Sequence, residues 1–190
     1  MDTKYWKLFY ENNKNFKNKN SAFSEFILDF FKDKNIKSIL DVGCGNGLDS
    51  YFFSKKYNVV GIDSAGYKLK ETKNFKFFID DFCSFKKDNY DLIYSRFSFH
   101  SINDEQQIIF LESIKINSYL CIETRSDKDK DLYKFYGDNH YRNYTNIDYL
   151  KKLLLKYNFE ILYLEENIDF AIYKQENPIC IRLICKKILY

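Results

Sequence analysis

The chain has few of the residues that build metal sites and few of those that interrupt secondary structure. Its 190 residues include two histidines and five cysteines. The cysteines form no C-x-x-C pair, so a zinc site has few ligands available and no metal site is predicted. Four of the five lie in apolar stretches, which favours buried, reduced thiols. One proline and six glycines are present, so each is expected to mark a specific turn or boundary.

Long apolar runs and a strong excess of one charge are also missing. No run approaches membrane-spanning length, and the first ten residues lack the apolar core of a secretion signal. The formal net charge is +3, with lysine and arginine spread along the chain instead of forming a basic stripe. We therefore expect a cytoplasmic protein with no membrane segment and no nucleic-acid partner. The oligomeric state stays open.

Apolar spacing predicts strands alternating with helices within one domain that spans residues 1–190. Helices are expected at 23–31 after a Ser21 cap, at 48–56, from Asn103, and from Thr145, which has capping-box spacing to Asp148. The predicted strands are 38–42, 58–63, 75–79, 90–94, 119–122, 159–164 and 179–185. Such alternation predicts an α/β fold with a parallel sheet covered on both faces. The last two strands have no helix between them and should pair antiparallel.

Two segments do not follow this alternation. Residues 124–144 show no clear period and are rich in Asp, Lys, Arg and Tyr. They follow the fifth predicted strand, so a functional loop at the carboxyl edge of the sheet is favoured. Residues 1–20 precede the first core helix and carry aromatic side chains at helical spacing. They are expected to cover the sheet edge or to act as a lid.

The strongest motif is a glycine-rich turn between the first predicted strand and the next helix. It runs from Asp41 to Gly47 as D-x-G-x-G-x-G. Leu48 stands where a dinucleotide fingerprint needs its third glycine, and no Walker loop is present. The turn therefore favours close backbone approach to a ligand smaller than a dinucleotide.

Acidic residues follow the next two strands. Asp63 ends the second strand, where a carboxylate can accept both hydroxyls of a ribose. Asp80, Asp81 and Phe82 follow the third strand, where an acid and an aromatic ring suit an adenine. Any one of these acids is weak evidence, since Asp is a common turn residue. Acids at successive strand ends together indicate a nucleoside site.

On these residues and on 90–96, the chain resembles class I S-adenosylmethionine-dependent methyltransferases over nearly its full length. The resemblance implies a Rossmann-like, seven-stranded, mostly parallel sheet of order 3-2-1-4-5-7-6 with an antiparallel last strand. It implies S-adenosyl-L-methionine as cofactor and S-adenosyl-L-homocysteine as product. The residues it assigns to the cofactor are Asp41 at the ammonium group, Gly43, Gly45 and Gly47 at the methionine part, Asp63 and Ser64 at the ribose, Asp81 and Phe82 at the adenine, and Ser95 and Arg96 beside it.

Candidates for the methyl acceptor cluster after the fourth and fifth strands and in the N-terminal segment. They are Tyr5, Tyr10, Arg96, His100, Glu123, Arg125, His140, Tyr141 and Arg142. Three arginines and a histidine can clamp a phosphate or carboxylate, or Arg125 and Arg142 can simply pair with nearby Asp residues. Either histidine is a candidate general base. His140 is favoured, because His100 lies in an aromatic run typical of a packed histidine.

A narrower resemblance concerns residues 94–102, 122–126 and 140–142, which are similar to small methyltransferases of bacterial capsule and surface-polysaccharide biosynthesis. It implies transfer to a small anionic or sugar-linked acceptor, such as a phosphoramidate or nucleotide sugar. The Asx-Pro-Pro-aromatic and Pro-Cys motifs of DNA amino- and C5-methyltransferases are absent, because Pro178 is the one proline and Ile179 follows it. A methyltransferase acting on protein or RNA and a non-catalytic cofactor-binding protein remain the alternatives.

Overall fold

A computed structural model describes residues 2–12, 19–66, 68–132 and 140–189. Within these ranges, the chain forms one sheet of seven strands. They are β1 (Ser38–Val42), β2 (Asn58–Ile62), β3 (Phe75–Phe78), β4 (Leu92–Arg96), β5 (Tyr119–Arg125), β6 (Phe159–Asn167) and β7 (Cys180–Lys187). Their order is β3-β2-β1-β4-β5-β7-β6. The first five strands run parallel, and β7 lies antiparallel between β5 and β6. The predicted fold class and strand order are confirmed.

Helices cover both faces of the sheet. They are α1 (Thr3–Asn12), α2 (Ala22–Phe30), α3 (Leu48–Phe53), α4 (Asp104–Glu112) and α5 (Ile147–Lys156), with 3₁₀ turns at Phe99–Ser101 and Asp127–Asp129. Adjacent strand residues point to opposite faces, which divides the core in two. On β4, Ile93 belongs to the cluster with α4 and α5, and Tyr94 to the cluster with α2 and α3. No helix among the described residues has the length and apolarity needed to cross a bilayer.

Two helix starts test the capping predictions. Asn103 opens α4 with a full capping box, in which its side chain and that of Gln106 bond each other's backbone amides. The cap predicted for the last helix was wrong by one residue. Asn146, not Thr145, accepts from the amides of Asp148 and Tyr149. Thr145 instead pairs its backbone with Ser126, which leaves the next residue to cap α5.

The fourth strand begins two residues later than its apolar pattern predicted. Asp91 precedes it, and its carboxylate accepts the amides of Lys37 at 2.8 Å and Ser38 at 3.0 Å. This contact closes the amino end of the strand, so pairing with β1 starts at Leu92. The strand continues to Arg96, so Ser95 and Arg96 belong to it and lie at the carboxyl edge of the sheet.

The segments predicted as loop and lid contain regular structure. Strand β5 continues to Arg125, and a 3₁₀ turn follows, so the loop predicted from residue 124 begins later than expected. Residues 133–139 of that loop, and residues 1 and 13–18 of the N-terminal segment, lie outside the described residues. The described part of the N-terminal segment is mainly the helix α1.

Candidate functional site

The glycine-rich turn joins β1 to α3 at the carboxyl edge of the sheet. The amides of Gly43 and Cys44 donate to the Ile62 carbonyl at 2.8 and 3.0 Å, which fixes the turn against the end of β2. Gly43, Gly45 and Gly47 have φ values of 67°, 54° and 74°. This left-handed region is costly for residues that carry a Cβ atom. The turn is thus a conformation that requires glycine.

Space is a second constraint at Gly43 and Gly45. A Cβ atom on Gly43 would lie 2.4 Å from the Cβ of Ser98. A Cβ atom on Gly45 would lie 2.0 Å from the hydroxyl of Tyr10. The turn therefore packs against the segment after β4 on one side and against α1 on the other.

Asp41 lies inside the turn, with 3% of its surface exposed. Its carboxyl accepts the Ser50 hydroxyl at 2.5 Å. Burial raises the pKa of Asp41 to about 8, and the Ser50 hydrogen bond only partly opposes this, while Asp49 and Asp63 add to it. A buried carboxyl of this kind favours a cation beside it, such as the ammonium group assigned there by the family resemblance.

Asp63 follows β2 and holds the turn through its carboxylate. One oxygen accepts the Gly45 amide at 2.9 Å and the other the Ala65 amide at 2.8 Å. Burial raises its pKa, and these two amides oppose the shift. A carboxylate has about four acceptor positions, so two remain for a diol. Ser64, the next residue, is half-buried in the turn that follows β2.

The residues after β3 form a turn at the surface and a contact with the core. Asp81 is exposed and accepts the Cys83 amide at 2.9 Å, so it caps its own turn. Phe82 is buried and packs edge-on against Phe110, with ring centroids 5.5 Å apart. Its ring is therefore part of the core, and its contact with an adenine stays a prediction.

The segment after β4 is tied back to β1. The hydroxyls of Ser95 and Ser98 lie 2.7 Å apart, and Ser98 donates to the Val42 carbonyl at 2.7 Å. Phe97 between them has a φ of 55°, unusual for a residue with a large side chain. The Arg96 guanidinium lies 4.7 Å from its ring centroid. These contacts fix Arg96 at the end of the strand.

Arg96 is part of a buried ionic cluster. Its Nε donates to one oxygen of Glu123 at 2.9 Å, and the Nε of Arg182 donates to the other at 2.7 Å. Glu123 is fully buried, whereas the Arg96 side chain is 33% exposed. Burial raises the pKa of Glu123, and the two arginines oppose this shift. The cluster thus combines two cations with one anion and exposes part of Arg96.

Sequence reasoning missed Arg182. Its guanidinium lies 4.3 Å from the ring centroid of Phe170 and donates to the Phe170 carbonyl at 2.8 Å. A signal was available, because Arg182 is a single charge within the apolar run of β7, and a buried charge requires a partner.

Arg125 forms buried ion pairs within the protein. Its guanidinium donates to Asp129 at 2.6 Å and to Glu176 at 3.2 Å, and all three side chains are buried. This matches the ion-pair alternative more closely than the anion clamp. The carboxylates are buried ones, however, and not those of a solvated loop.

His100 is also buried, with its Nδ1 accepting the Arg125 amide at 3.3 Å and lying 3.1 Å from the Thr124 hydroxyl. Burial, helped by the charges of Arg125 and Arg142, lowers the pKa of His100 well below its ordinary value. A neutral histidine of low pKa is a weak general base. It is a packed residue of the 3₁₀ turn after β4, and its ring contacts the end of β5.

Helix α1 brings the N-terminal aromatics to this edge. The Tyr5 and Trp6 rings lie 4.4 and 4.7 Å from the His140 ring. Tyr10 lies against the glycine turn, and burial of its hydroxyl, together with the charges of Asp63 and Asp41, raises its pKa. Of the two residues after His140, Tyr141 is exposed and Arg142 is half-buried.

The structure thus brings most of the predicted residues to one edge. The Tyr10 hydroxyl lies against Gly45, whose amide donates to Asp63. The charges of Asp63, Arg96 and Asp41 also affect the pKa of the Tyr10 hydroxyl. His100 and Arg125 are held inside the protein nearby. Asp81 lies on a separate turn after β3, and no contact joins it to this group among the described residues.

Comparisons with known proteins agree with this arrangement. Residues 16–164 match the model of a family described as a methyltransferase domain. A SAM-dependent methyltransferase from Methanosarcina mazei has a similar structure, with a TM-score of 0.68, 17% identity, and coverage of 87% of this chain and 98% of that one. An S-adenosylmethionine-dependent methyltransferase from Clostridium acetobutylicum gives a TM-score of 0.71 at 14% identity, covering 96% and 97%.

A third similar structure contains ligands. It is the 1,6-didemethyltoxoflavin-N1-methyltransferase of Burkholderia thailandensis, with bound 1,6-didemethyltoxoflavin and S-adenosylhomocysteine. Its TM-score is 0.67 at 14% identity, over 95% of this chain and 84% of that one. No curated protein matches the sequence.

Proposed function

We propose a small-molecule acceptor for this chain, which belongs to the methyltransferase domain family and is an S-adenosylmethionine-dependent methyltransferase. We also propose that residues 1–190 act as one catalytic domain in the cytoplasm. Five free thiols, four of them buried, are typical of a reducing compartment.

The cofactor residues of the chain fit an adenosyl sulfonium. The glycine turn lets the backbone approach a ligand, Asp41 offers a buried carboxyl for the ammonium, and Asp63 has acceptor positions left for the ribose. When bound, the cofactor supplies a methyl group on a positively charged sulfur. The contribution of the protein is to hold the acceptor in line with that methyl group and to exclude water. Asp81 remains our proposal for the adenine, although its carboxylate also caps a turn.

The observation that carries the small-acceptor proposal is the position of α1. One helix lies over the glycine turn through Tyr10 and reaches the acceptor side through the contacts of Tyr5 and Trp6 with His140. A reaction that takes place under this helix favours a compact acceptor over a folded protein or an RNA. The similar N1-methyltransferase, which is named for a small heteroaromatic substrate, supports the same class.

We further propose that the acceptor is anionic or sugar-linked. The cluster of Arg96, Glu123 and Arg182 carries two positive charges against one negative charge, and Arg96 is the partly exposed member. The planar guanidinium of an arginine suits phosphate or carboxylate oxygens. We propose Arg142, which is half-buried and follows His140 by two residues, as the second anion contact. Arg125 donates to Asp129 and Glu176 within the protein.

The need for a base depends on the acceptor. An anionic oxygen needs no proton removed, whereas a hydroxyl or ammonium does. For the latter case we propose His140 as the base, because His100 is buried and has a strongly lowered pKa. The acceptor classes we propose are phosphoramidates, phosphosugars and nucleotide sugars, because they are small and are anionic or sugar-linked. They include precursors of capsule or surface polysaccharides.

The test is a methyl-transfer screen with those three compound classes, read by mass spectrometry and by S-adenosylhomocysteine formation. Arg142→Ala is expected to raise the KM of an anionic acceptor without changing S-adenosylhomocysteine affinity. Lys130→Ala, an exposed charge in the same segment, is the matched control. Methylation of protein or RNA fractions with none of the panel methylated would replace this proposal with a macromolecular acceptor.

A further inference from the structure

Helix α1 is attached to the rest of the molecule in an unusual way. None of its ten residues is fully buried, and its aromatic residues Tyr5, Trp6, Phe9 and Tyr10 are half-buried, whereas α2 fully buries Phe23, Ser24 and Ile27. Helices with little buried surface are held weakly and open at low free-energy cost. Two contacts of α1 within the described residues are with the candidate site: Tyr10 lies against the glycine turn, and Tyr5 and Trp6 lie against His140.

One of these contacts lies within the glycine turn. The Tyr10 hydroxyl is so close to Gly45 that a Cβ atom there would lie 2.0 Å from it, and the ring carbon bearing the hydroxyl would lie at 2.6 Å. Gly45 also donates its amide to Asp63 at 2.9 Å. The phenol thus lies against Gly45, which is bonded to Asp63, and the family resemblance assigns these two residues to the methionine part and the ribose of the cofactor.

The other contacts lie one to two turns earlier in the helix. Tyr5 and Trp6 pack on His140, and the Trp6 ring also stacks on Tyr10 with centroids 6.2 Å apart. Tyr5 and Tyr10 are separated by roughly 7.5 Å along the helix axis at 1.5 Å per residue. A helix this short moves as one body, so a displacement of Tyr10 also moves the rings on His140.

We propose that Tyr10 and the cofactor compete for the same space at the glycine turn, so that cofactor entry shifts α1 while the helix still lies over the site, and this shift moves the Tyr5 and Trp6 rings away from His140. The protein would then bind its cofactor before its acceptor. This inference rests on the family membership of the chain and not on the identity of the acceptor.

The chain carries its own reporter, because Trp6 is its single tryptophan. Titrating the full-length protein with S-adenosylhomocysteine should change Trp6 emission along the binding curve measured by calorimetry. Saturation by calorimetry with unchanged Trp6 emission would overturn the displacement of α1.

Variants at Tyr10 separate competition from ordinary ligand contact. Tyr10→Ala should speed S-adenosylhomocysteine association and tighten its apparent affinity, by roughly tenfold if the closed form is about nine times more populated than the open one. Tyr10→Phe, which keeps the ring, should give an association rate and an affinity between those of Tyr10→Ala and the unmodified protein. Leu8→Ala, on the same helix and 50% exposed, is the control and should change neither quantity.

The opposite result is equally clear. If Tyr10→Ala weakens or leaves unchanged the affinity for S-adenosylhomocysteine while Leu8→Ala behaves normally, Tyr10 is a ligand contact or a bystander and the competition is refuted. Because no acceptor is used, this failure is distinct from a failed methyl-transfer screen.

Discussion

The two sides of the candidate site are built from different kinds of interaction. The cofactor side (the glycine turn with Asp41 and Asp63) is made of neighbours in sequence and of backbone amides, with Gly45 and Asp63 only 18 residues apart. The acceptor side (Arg96, Glu123, Arg125 and His100) depends on side-chain pairs separated by up to 59 residues. A local motif therefore specifies the first side, whereas only the complete sheet specifies the second.

The largest effect is expected on the acceptor side. Glu123→Ala leaves Arg96 and Arg182 without their shared carboxylate, and we expect a loss of roughly 4 kcal/mol in unfolding free energy, as for other broken buried ion pairs. Urea denaturation measures it. Asp29→Ala, which breaks an exposed pair with Lys32, is the control and should have little effect. Equal stabilities for both variants would mean that the buried cluster contributes nothing.

On the cofactor side, we expect backbone conformation to contribute more to the unfolding free energy than charge does. Gly43→Ala combines a left-handed φ with a Cβ clash against Ser98, and we expect a loss of roughly 3 kcal/mol. Gly66→Ala is a matched control, since Gly66 has a φ of 73° but no atom within 4 Å of its added Cβ. It should lose only about 1 kcal/mol. Equal losses would show that packing on Ser98 is unimportant.

A smaller effect is expected for the ligand contact itself. Asp63→Ala should weaken S-adenosylhomocysteine binding by roughly 10- to 100-fold, the range for losing hydrogen bonds to a charged group. Calorimetry gives the affinity, and far-ultraviolet circular dichroism checks that the fold is retained. Unchanged affinity in a folded variant would remove the ribose assignment.

The last prediction concerns pH. The pKa of Asp41 is about 8 in the folded state against 3.8 as its ordinary value, so the native protein binds more protons between these values. Stability should therefore fall as pH rises through this window, and the penalty is complete above about pH 8. Asp41→Asn should flatten the slope measured by denaturation at several pH values. Part of the slope should remain in this variant, because the pKa of Asp63 is also raised. An identical slope in the variant would show that Asp41 titrates normally.

The same contrast explains what the sequence could predict. Strand order, the glycine turn and the residues at the ends of β1 and β2 followed from local patterns and the family resemblance. The roles of Arg125 and His100 did not, because their partners Asp129, Glu176 and Thr124 are brought to them by β5 and by the segments packed beside it. Phe82 shows a further limit, since spacing places a ring after β3 but does not say whether it faces the core or a ligand.

The shared carboxylate of Glu123 also has a consequence for the order of assembly. Chains emerge from the ribosome amino end first, and domains form as their segments become available. All the residues of the glycine turn precede β4, but the second arginine of Glu123 lies on β7, the last strand. A growing chain therefore cannot complete this cluster before its final strand is made and inserted between β5 and β6, because that strand carries the arginine that binds the second oxygen of Glu123.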